Sequence, residues 1–138
     1  MTKTTFVNKE TLVRKWQKLD ASDQVLGRFA AKVASALTGK TRADYTAHVD
    51  MGDKVVVTNA AKIKVTGKKE TDKIYYRHTG FPGGIKSETY KEKMAKDPTD
   101  VIRVAVEGML PKNKLRKVRM SNLYIYKDDV HPHEVNLK

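Results

Sequence analysis

The sequence contains no cysteine. This absence excludes disulfide bonds, iron–sulfur clusters, cysteine-ligated zinc and a thiol nucleophile together, and it fits a reducing compartment. Long apolar runs are absent too, because no stretch reaches the roughly 18 apolar residues of a membrane span. The N-terminal MTKTTFVNKE also lacks the apolar core of a signal peptide. We therefore expect a soluble protein that is neither secreted nor membrane-spanning.

Acidic residues are scarce relative to basic ones. The chain has 28 lysine and arginine residues against 16 aspartate and glutamate residues, so its formal net charge is +12 and its pI is about 9.8. Such a surface attracts polyanions, of which nucleic acid is the first expectation and an anionic membrane the second. The length of 138 residues suits one domain. We place it at 1–138, with an N-terminal extension at 1–13 and a tail without a folding pattern at 128–138.

Strand and helix patterns alternate along the chain without repeats or a low-complexity linker, which indicates a single α/β unit. The valine run in KVVVTN is typical of a strand covered on both faces, so we expect it at the centre of a parallel sheet. The polar connection between the third and fourth predicted strands is too short for a crossover helix and predicts a hairpin. Strands are predicted at 15–20, 54–59, 63–66, 74–78 and 123–126.

Three helices are predicted from apolar spacing and end signals. The first covers 26–37, with turn and capping residues at 21–24 and a C-terminal cap at Gly39. A short second helix runs to Met94 from an N-cap within 87–90, and Asp97-Pro98 opens a third.

The stretch TGFPGGIKS, 79–87, comes close to a nucleotide-binding P-loop. That motif needs a glycine, four free positions and then Gly-Lys-Ser/Thr, so that backbone N–H groups can wrap the phosphates. Counted from Gly80, the second required glycine falls on Ile85, whose branched side chain resists the close approach that glycine permits. We predict a structural loop, anchored by Phe81 and Ile85, in which Lys86 supplies the positive charge.

The most basic part of the chain is PKNKLRKVR, 111–119, called the basic segment below. Five of its nine residues are basic and none is acidic. A solvated charged turn is one interpretation, but cations without counter-charges repel one another unless a polyanion is present, so we predict phosphate binding. On a helix, Lys112, Arg116 and Arg119 would align roughly, with Lys114 and Lys117 on another side.

Aromatic and histidine residues offer further candidates. Tyr75, Tyr76, Phe81 and Tyr90 could stack on unpaired bases, but we expect most of them to be core residues. The adjacent Tyr75 and Tyr76 of a strand point to opposite faces, so at most one of these two faces RNA.

His131 and His133 resemble a metal pair, but they lie in the predicted tail with only Glu134 nearby, and a solvated tail is the expected state. His48 and Asp50 lack a nucleophile beside them, so we expect them to order a turn rather than to catalyse.

Four segments in this order, LGRFAAKVASALTGK, YTAHVDMGDKVVVTNAAKIKVTGKK, YYRHTGFPGGIK and VEGMLPKNK, make the chain resemble the bacterial large-subunit ribosomal protein L13 family. The most specific part is VEGMLP, followed at a fixed distance by LYIY. The resemblance implies a three-layer α/β/α fold with a mostly parallel four-stranded sheet and basic loop extensions. It also implies no catalytic activity and binding to large-subunit (23S) ribosomal RNA early in assembly. The family often carries glycines after this signature, where this sequence has Asn113 and Arg116.

The resemblance and the basic groups together define the expected site. The resemblance implies a cytoplasmic protein within the large ribosomal subunit. It also implies neighbouring ribosomal proteins as partners, and no cofactor, metal, membrane or small-molecule substrate. Two alternatives stay open: a small phosphate-handling enzyme, and a basic module for an anionic membrane or a protein. The predicted RNA-binding residues are Lys40, Arg42, Lys68, Lys69, Arg77, His78, Lys86, Lys112, Lys114, Arg116, Lys117 and Arg119, and the loop and signature residues are Gly80, Gly83, Gly84, Gly108, Met109, Leu110 and Pro111.

Overall fold

The computed structural model describes residues 7, 8, 10 and 12–137, so most of the predicted N-terminal extension lies outside the described residues. Strands occupy Trp16–Asp20 (β1), Lys54–Thr58 (β2), Ile74–His78 (β3), Ile85–Thr89 (β4) and Leu123–Ile125 (β5). Helices occupy Leu26–Thr38 (α1), Lys69–Asp72 (α2), Tyr90–Lys96 (α3), Pro98–Met109 (α4) and Leu115–Ser121 (α5). Short 3-10 helices lie at Ala60–Lys62 and Glu134–Leu137.

The central sheet is parallel, with the strand order β1-β2-β5. Its middle strand β2 is the predicted valine run, and Val55, Val56 and Val57 are fully buried, as expected for a strand covered on both faces. The single α/β domain with a mostly parallel sheet is therefore confirmed. The sheet has three strands rather than the expected four, because 63–66 contributes only an isolated bridge between Val25 and Lys64.

One face of this sheet packs on α1 and α4. Phe29, Val33 and Leu37 of α1 are buried at helical spacing, which confirms the predicted helix, and Gly39 caps its end with the left-handed φ of +76°. The predicted side-chain cap from 21–24 is wrong. The residue before the helix is Val25, whose side chain makes no capping hydrogen bond. Backbone hydrogen bonds of Gln24 and Leu26 with Lys64 fix the start of the helix instead.

The opposite face of the sheet carries aromatic rings. Trp16 of β1 and Tyr124 of β5 stack with their centroids 5.5 Å apart, and His133 packs against both. The Tyr126 hydroxyl lies 2.8 Å from Nε2 of His133, and His131 is only 6% exposed. The expectation of a solvated tail is therefore wrong at His131 and His133, because their rings pack against the aromatic rings of Trp16, Tyr124 and Tyr126. The residues 134–136 are exposed, as expected for a solvated tail. The three-layer prediction expected helices on this face, where the described residues instead place aromatic rings and the short 3-10 helix Glu134–Leu137 beside β1.

A second, two-stranded sheet projects beside this body. Strands β3 and β4 pair antiparallel, with Arg77 opposite Lys86 and Tyr76 opposite Ser87. The predicted hairpin between 63–66 and 74–78 is therefore wrong. Residues 69–72 form one helical turn instead of a hairpin tip, and the glycine-rich loop joins the paired strands.

The helix starts after this hairpin match their sequence signals. Thr89 and Glu92 form a reciprocal capping box at the start of α3. The side chain of Asp97 accepts the backbone N–H of Thr99 at the start of α4, with Pro98 in the first turn. Both predicted N-termini are confirmed.

Candidate nucleic-acid interface

The glycine-rich loop, 79–84, is a compact hairpin turn. The N–H of Thr79 donates to the carbonyl of Gly84 over 2.9 Å, and the N–H of Gly84 donates to the carbonyl of Phe81 over 2.9 Å. Pro82 followed by Gly83 at φ +70° matches a type II turn, whose third residue requires a positive φ. A Cβ on Gly84 would lie 1.9 Å from Oγ1 of Thr79. The loop leads into strand β4 rather than a helix, so it lacks the helix N-terminus on which a P-loop depends.

Phe81 and Ile85 do not anchor this loop as predicted. The side chains of Phe81 and Ile85 are 74% and 65% exposed, and backbone hydrogen bonds of the turn hold the loop instead. Gly80 donates its N–H to Nδ1 of His78 over 2.9 Å, so the His78 ring takes part in ordering the loop.

The adjacent tyrosines of β3 point in opposite directions, as the strand period requires. Tyr75 packs against the core, and burial raises the pKa of its hydroxyl; burial likewise raises the pKa of Tyr90 in α3. Tyr76 is 67% exposed. Of the four predicted stacking candidates, Tyr76 and Phe81 are exposed, Tyr75 is half-buried and Tyr90 is buried.

Two predicted cations of the hairpin lie in a groove of about 700 Å³ between the hairpin and helices α3 and α4. Arg77 and Lys86 are directly opposite across the strands, an arrangement that destabilises a sheet when both charges are alike. Neither forms an ion pair within the part of the chain that the structure describes. The hairpin groove is defined by its four cations, Arg77, Lys86, Lys93 and Lys96.

Lys93 and Lys96 of this groove were missed in the sequence because they are separated from Arg77 along the chain and belong to α3. Both are already paired, Lys93 with Asp100 and Lys96 with Glu88. The excess charge of the hairpin groove therefore belongs to the strands and not to the helix.

The basic segment is partly helical. Asn113 lies two residues before α5, and its Oδ1 accepts the N–H of Leu115, the first residue of the helix, over 3.1 Å. This contact gives a local role to a residue at which the resemblance expected glycine. Lys112, Lys114 and Lys117 are exposed, and Lys112 precedes the helix rather than aligning on it.

The charge of this segment continues onto α4. A groove of about 630 Å³ between α4 and α5 includes Arg103, which the sequence pattern missed because it lies on another helix. Arg116 lies 3.7 Å from Glu107, which partly offsets its charge. The α4–α5 surface is defined by its cations, Arg103, Lys112, Lys114, Arg116 and Lys117.

Arg119 is the exception in the basic segment. It is 1% exposed, and its Nε lies 3.7 Å from Oδ1 of Asp50. Oδ2 of Asp50 also accepts Nη2 of Arg14 over 2.8 Å, so one buried carboxylate faces two guanidinium groups. The assignment of Arg119 to RNA is therefore corrected, because the inner side of α5 turns this side chain into the protein.

The smaller basic groups are dispersed. Lys40 is exposed just beyond α1, and Lys68 and Lys69 are exposed at α2. Arg42 lies 3.2 Å from Asp44 and 3.9 Å from Asp53, so two ion pairs partly offset its charge. The structure does not bring these residues together with the two grooves.

The signature residues divide between core and surface. Leu110 is buried, whereas Met109 and Pro111 are exposed. Gly108 lies in the last turn of α4, beside an apolar hollow of about 370 Å³ that also contacts Gly27 of α1. Leu110 therefore has a packing role.

The described residues include no group of three or more His, Cys, Asp or Glu side chains suited to a metal ion. Within the same residues, no helix has both the length and the apolar character of a membrane span. The His131 ring accepts the backbone N–H of His133 over 3.3 Å, so this pair orders its own segment.

The fold and these surfaces define a small α/β domain with cationic grooves, a class suited to polyanion binding. Residues 14–132 match the family model described as Ribosomal protein L13. The chain is 52% identical over 131 residues to "Large ribosomal subunit protein uL13" of Azotobacter vinelandii, covering 95% of this chain and 92% of that protein. It is 47% identical over 134 residues to the uL13 protein of Mycoplasmopsis synoviae, covering 97% and 93%.

The chain belongs to the ribosomal protein L13 family. This membership confirms the prediction of a ribosomal protein rather than an enzyme.

Proposed function

We propose that this protein is a structural constituent of the large ribosomal subunit that binds large-subunit ribosomal RNA and supports early subunit assembly. The observation that carries the proposal is the family match over residues 14–132, together with relatives that are large-subunit proteins. The formal charge of +12 fits this role, because a protein inside a ribonucleoprotein must offset phosphate charge.

The hairpin groove and the α4–α5 surface are the proposed RNA contacts. Both hold exposed cations in excess of carboxylates, so phosphates would relieve the repulsion that the free protein carries. Paired RNA hides its base edges in a deep, narrow groove, so contacts of this kind read shape and backbone rather than sequence. Lys40, Lys68 and Lys69 add exposed charge outside these surfaces and are proposed as weaker contacts.

Sedimentation of the endogenous protein through sucrose gradients tests this function. At high magnesium we expect the protein to migrate with intact large subunits and ribosomes, and at low magnesium with the separated large subunits. A protein that stays at the top of the gradient while large subunits sediment normally would contradict the proposal.

Ribonuclease treatment before a second gradient provides the control. We expect the protein to leave the fast-sedimenting fractions once the RNA is digested. Continued association with a membrane or protein fraction after digestion would instead favour the basic-module alternative.

A further inference from the structure

The β3–β4 hairpin carries two exposed aromatic rings, Tyr76 on its outer face and Phe81 in its loop. Tyr76 is 67% exposed and Phe81 is 74% exposed, whereas neighbouring Tyr75 packs inward. We propose that Tyr76 and Phe81 form a stacking platform for unpaired nucleotides of RNA. This inference rests on the proposed function and deepens it, because it names the RNA conformation that this surface takes.

Both rings are attached to an ordered framework. Tyr76 lies in the middle of β3, in register with Ser87 of β4. Phe81 lies in the hairpin loop, where its carbonyl accepts the N–H of Gly84 and the following Pro82 restricts the turn. Rings on a fixed framework lose little conformational freedom when a base stacks on them, which favours binding.

The surroundings of the rings complement a phosphate backbone. The six side chains of the outer face include no carboxylate, and the hairpin loop 79–84 has no charged residue. Arg77 and Lys86 follow directly along the strands, on the reverse side of a ribbon only one layer thick. Phosphates flanking a base stacked on Tyr76 would lie within about 10 Å of Arg77 and Lys86, which is the Debye screening length at about 0.1 M salt. The outer face consists of Ile74, Tyr76, His78, Ile85, Ser87 and Thr89.

The ligand class follows from the geometry of stacking. Bases inside a double helix already stack on their neighbours, so only bulged, looped or single-stranded nucleotides can offer a free π-face to an aromatic ring. A protein partner that docked by apolar contact would use the aliphatic Ile74 and Ile85 of this face as well as the rings. Binding of an unpaired nucleotide therefore depends on the aromatic rings, whereas binding of a protein partner depends on the total apolar area of the face.

The test compares the full-length protein with ring variants on two probes, single-stranded oligoadenylate and a fully paired RNA duplex of equal length. Tyr76→Ala and Phe81→Ala should each weaken oligoadenylate binding about 5- to 100-fold, since a stacked base contributes on that scale. Tyr76→Phe and Phe81→Tyr keep a ring and should retain affinity. Ile85→Ala removes exposed apolar area from the same face and should change little. Duplex affinity should be equal in all variants.

A fluorescent reporter gives an independent readout. In Phe81→Trp, oligoadenylate should quench the added emission relative to wild type, whose single Trp16 lies in the aromatic cluster of the sheet. The duplex should not quench it.

The outcomes separate the inference from the proposed function. Unchanged oligoadenylate affinity in both alanine variants, or an equal loss in Ile85→Ala, would overturn the stacking platform while RNA binding stands. Failure of the wild-type protein to bind either RNA or to sediment with large subunits would overturn the proposed function as well. Circular dichroism of each variant verifies folding. If an alanine variant is unfolded, the Phe81→Trp emission decides the matter, because a lack of quenching by oligoadenylate would overturn the stacking platform.

Discussion

The body around the parallel sheet and the β3–β4 hairpin use the same residue types in opposite ways. In the body, Val57 and Ile102 are fully buried, and the cation Arg119 is enclosed with a carboxylate. In the hairpin, Ile85 is exposed, and Arg77 and Lys86 have no ion-pair partner among the described residues. Composition alone therefore does not assign an apolar or basic residue to stability or to binding. The packing partner decides which role it has.

The largest expected effect concerns the buried charge of the body. Asp50→Asn should lower the free energy of unfolding by about 3–5 kcal/mol, because Arg119 and Arg14 would lose the carboxylate between them. Urea denaturation measures the change. Asp44→Asn is the control, since this exposed carboxylate pairs with Arg42 at the surface and should contribute about 1 kcal/mol or less. Equal effects of the two substitutions would show that burial of the Asp50 cluster does not matter.

A matched pair of isoleucines tests the comparison directly. Ile102→Ala should destabilise the protein by about 2–5 kcal/mol, because it leaves a cavity in the core between α4 and the sheet. Ile85→Ala should stay within about 0.5 kcal/mol, because the side chain is exposed. Denaturant unfolding of both variants under the same conditions measures the two changes in the free energy of unfolding. A large loss of stability in Ile85→Ala would mean that the hairpin face packs in the free protein.

The exposed and half-exposed cations of the basic segment should control the salt dependence of RNA binding. Changing Lys112, Lys114, Arg116 and Lys117 to Gln should flatten the slope of log K against log salt by roughly 0.7 to 0.9 for each lost phosphate contact. Three real contacts would shift the slope by about 2 to 3 units. Affinity across a salt series, with circular dichroism to verify folding, gives the answer.

A second variant of equal charge serves as the control for this experiment. It changes four exposed cations outside both grooves to Gln, namely Arg28, Lys32, Lys62 and Lys127. If both variants flatten the slope equally, binding follows net charge rather than the α4–α5 surface. Arg119→Gln is left out of the RNA variant, because its effect would arise through the buried Asp50 cluster.

Local sequence signals predicted the elements whose stability is itself local. The apolar spacing of α1, Gly39 at its end, the caps at Thr89 and Asp97, and the valine run of β2 all match the structure. These features depend on residues within a few positions of one another, so a sequence pattern contains the necessary information.

The failures involve contacts between distant segments. Strand β3 pairs with β4 rather than with 63–66. His133 packs against the rings of Trp16 in β1 and Tyr124 in β5, and His131 packs against Tyr126 just after β5. The buried partner of Arg119 is Asp50, which lies 69 residues earlier in the sequence. For the candidate site, the sequence located most exposed cations but not their neighbours on α3 and α4, because neither spacing nor charge runs report which helices meet.

The smallest expected effect concerns the helix cap at the edge of the body, beside the hairpin. Hydrogen bonds from the side chain and backbone of Thr99 hold the pKa of Asp97 below its ordinary value. Asp97→Ala should cost about 1 kcal/mol of stability at neutral pH, because α4 loses its side-chain cap. Denaturant unfolding of both proteins at pH 7 and in acid measures this difference.

The direction of the pH effect follows from the lowered pKa. An unfolded aspartate binds a proton near pH 3.9, and the folded Asp97 does so only at lower pH. The stabilisation is therefore fully present above the unfolded pKa and is lost as the pH falls through the folded one. The difference between wild type and Asp97→Ala should shrink below about pH 3.9. Asp128→Ala, at an exposed aspartate outside any helix, should show little difference at either pH. A difference for Asp97→Ala that stays constant into acid would show that the cap acts through something other than its ionised carboxylate.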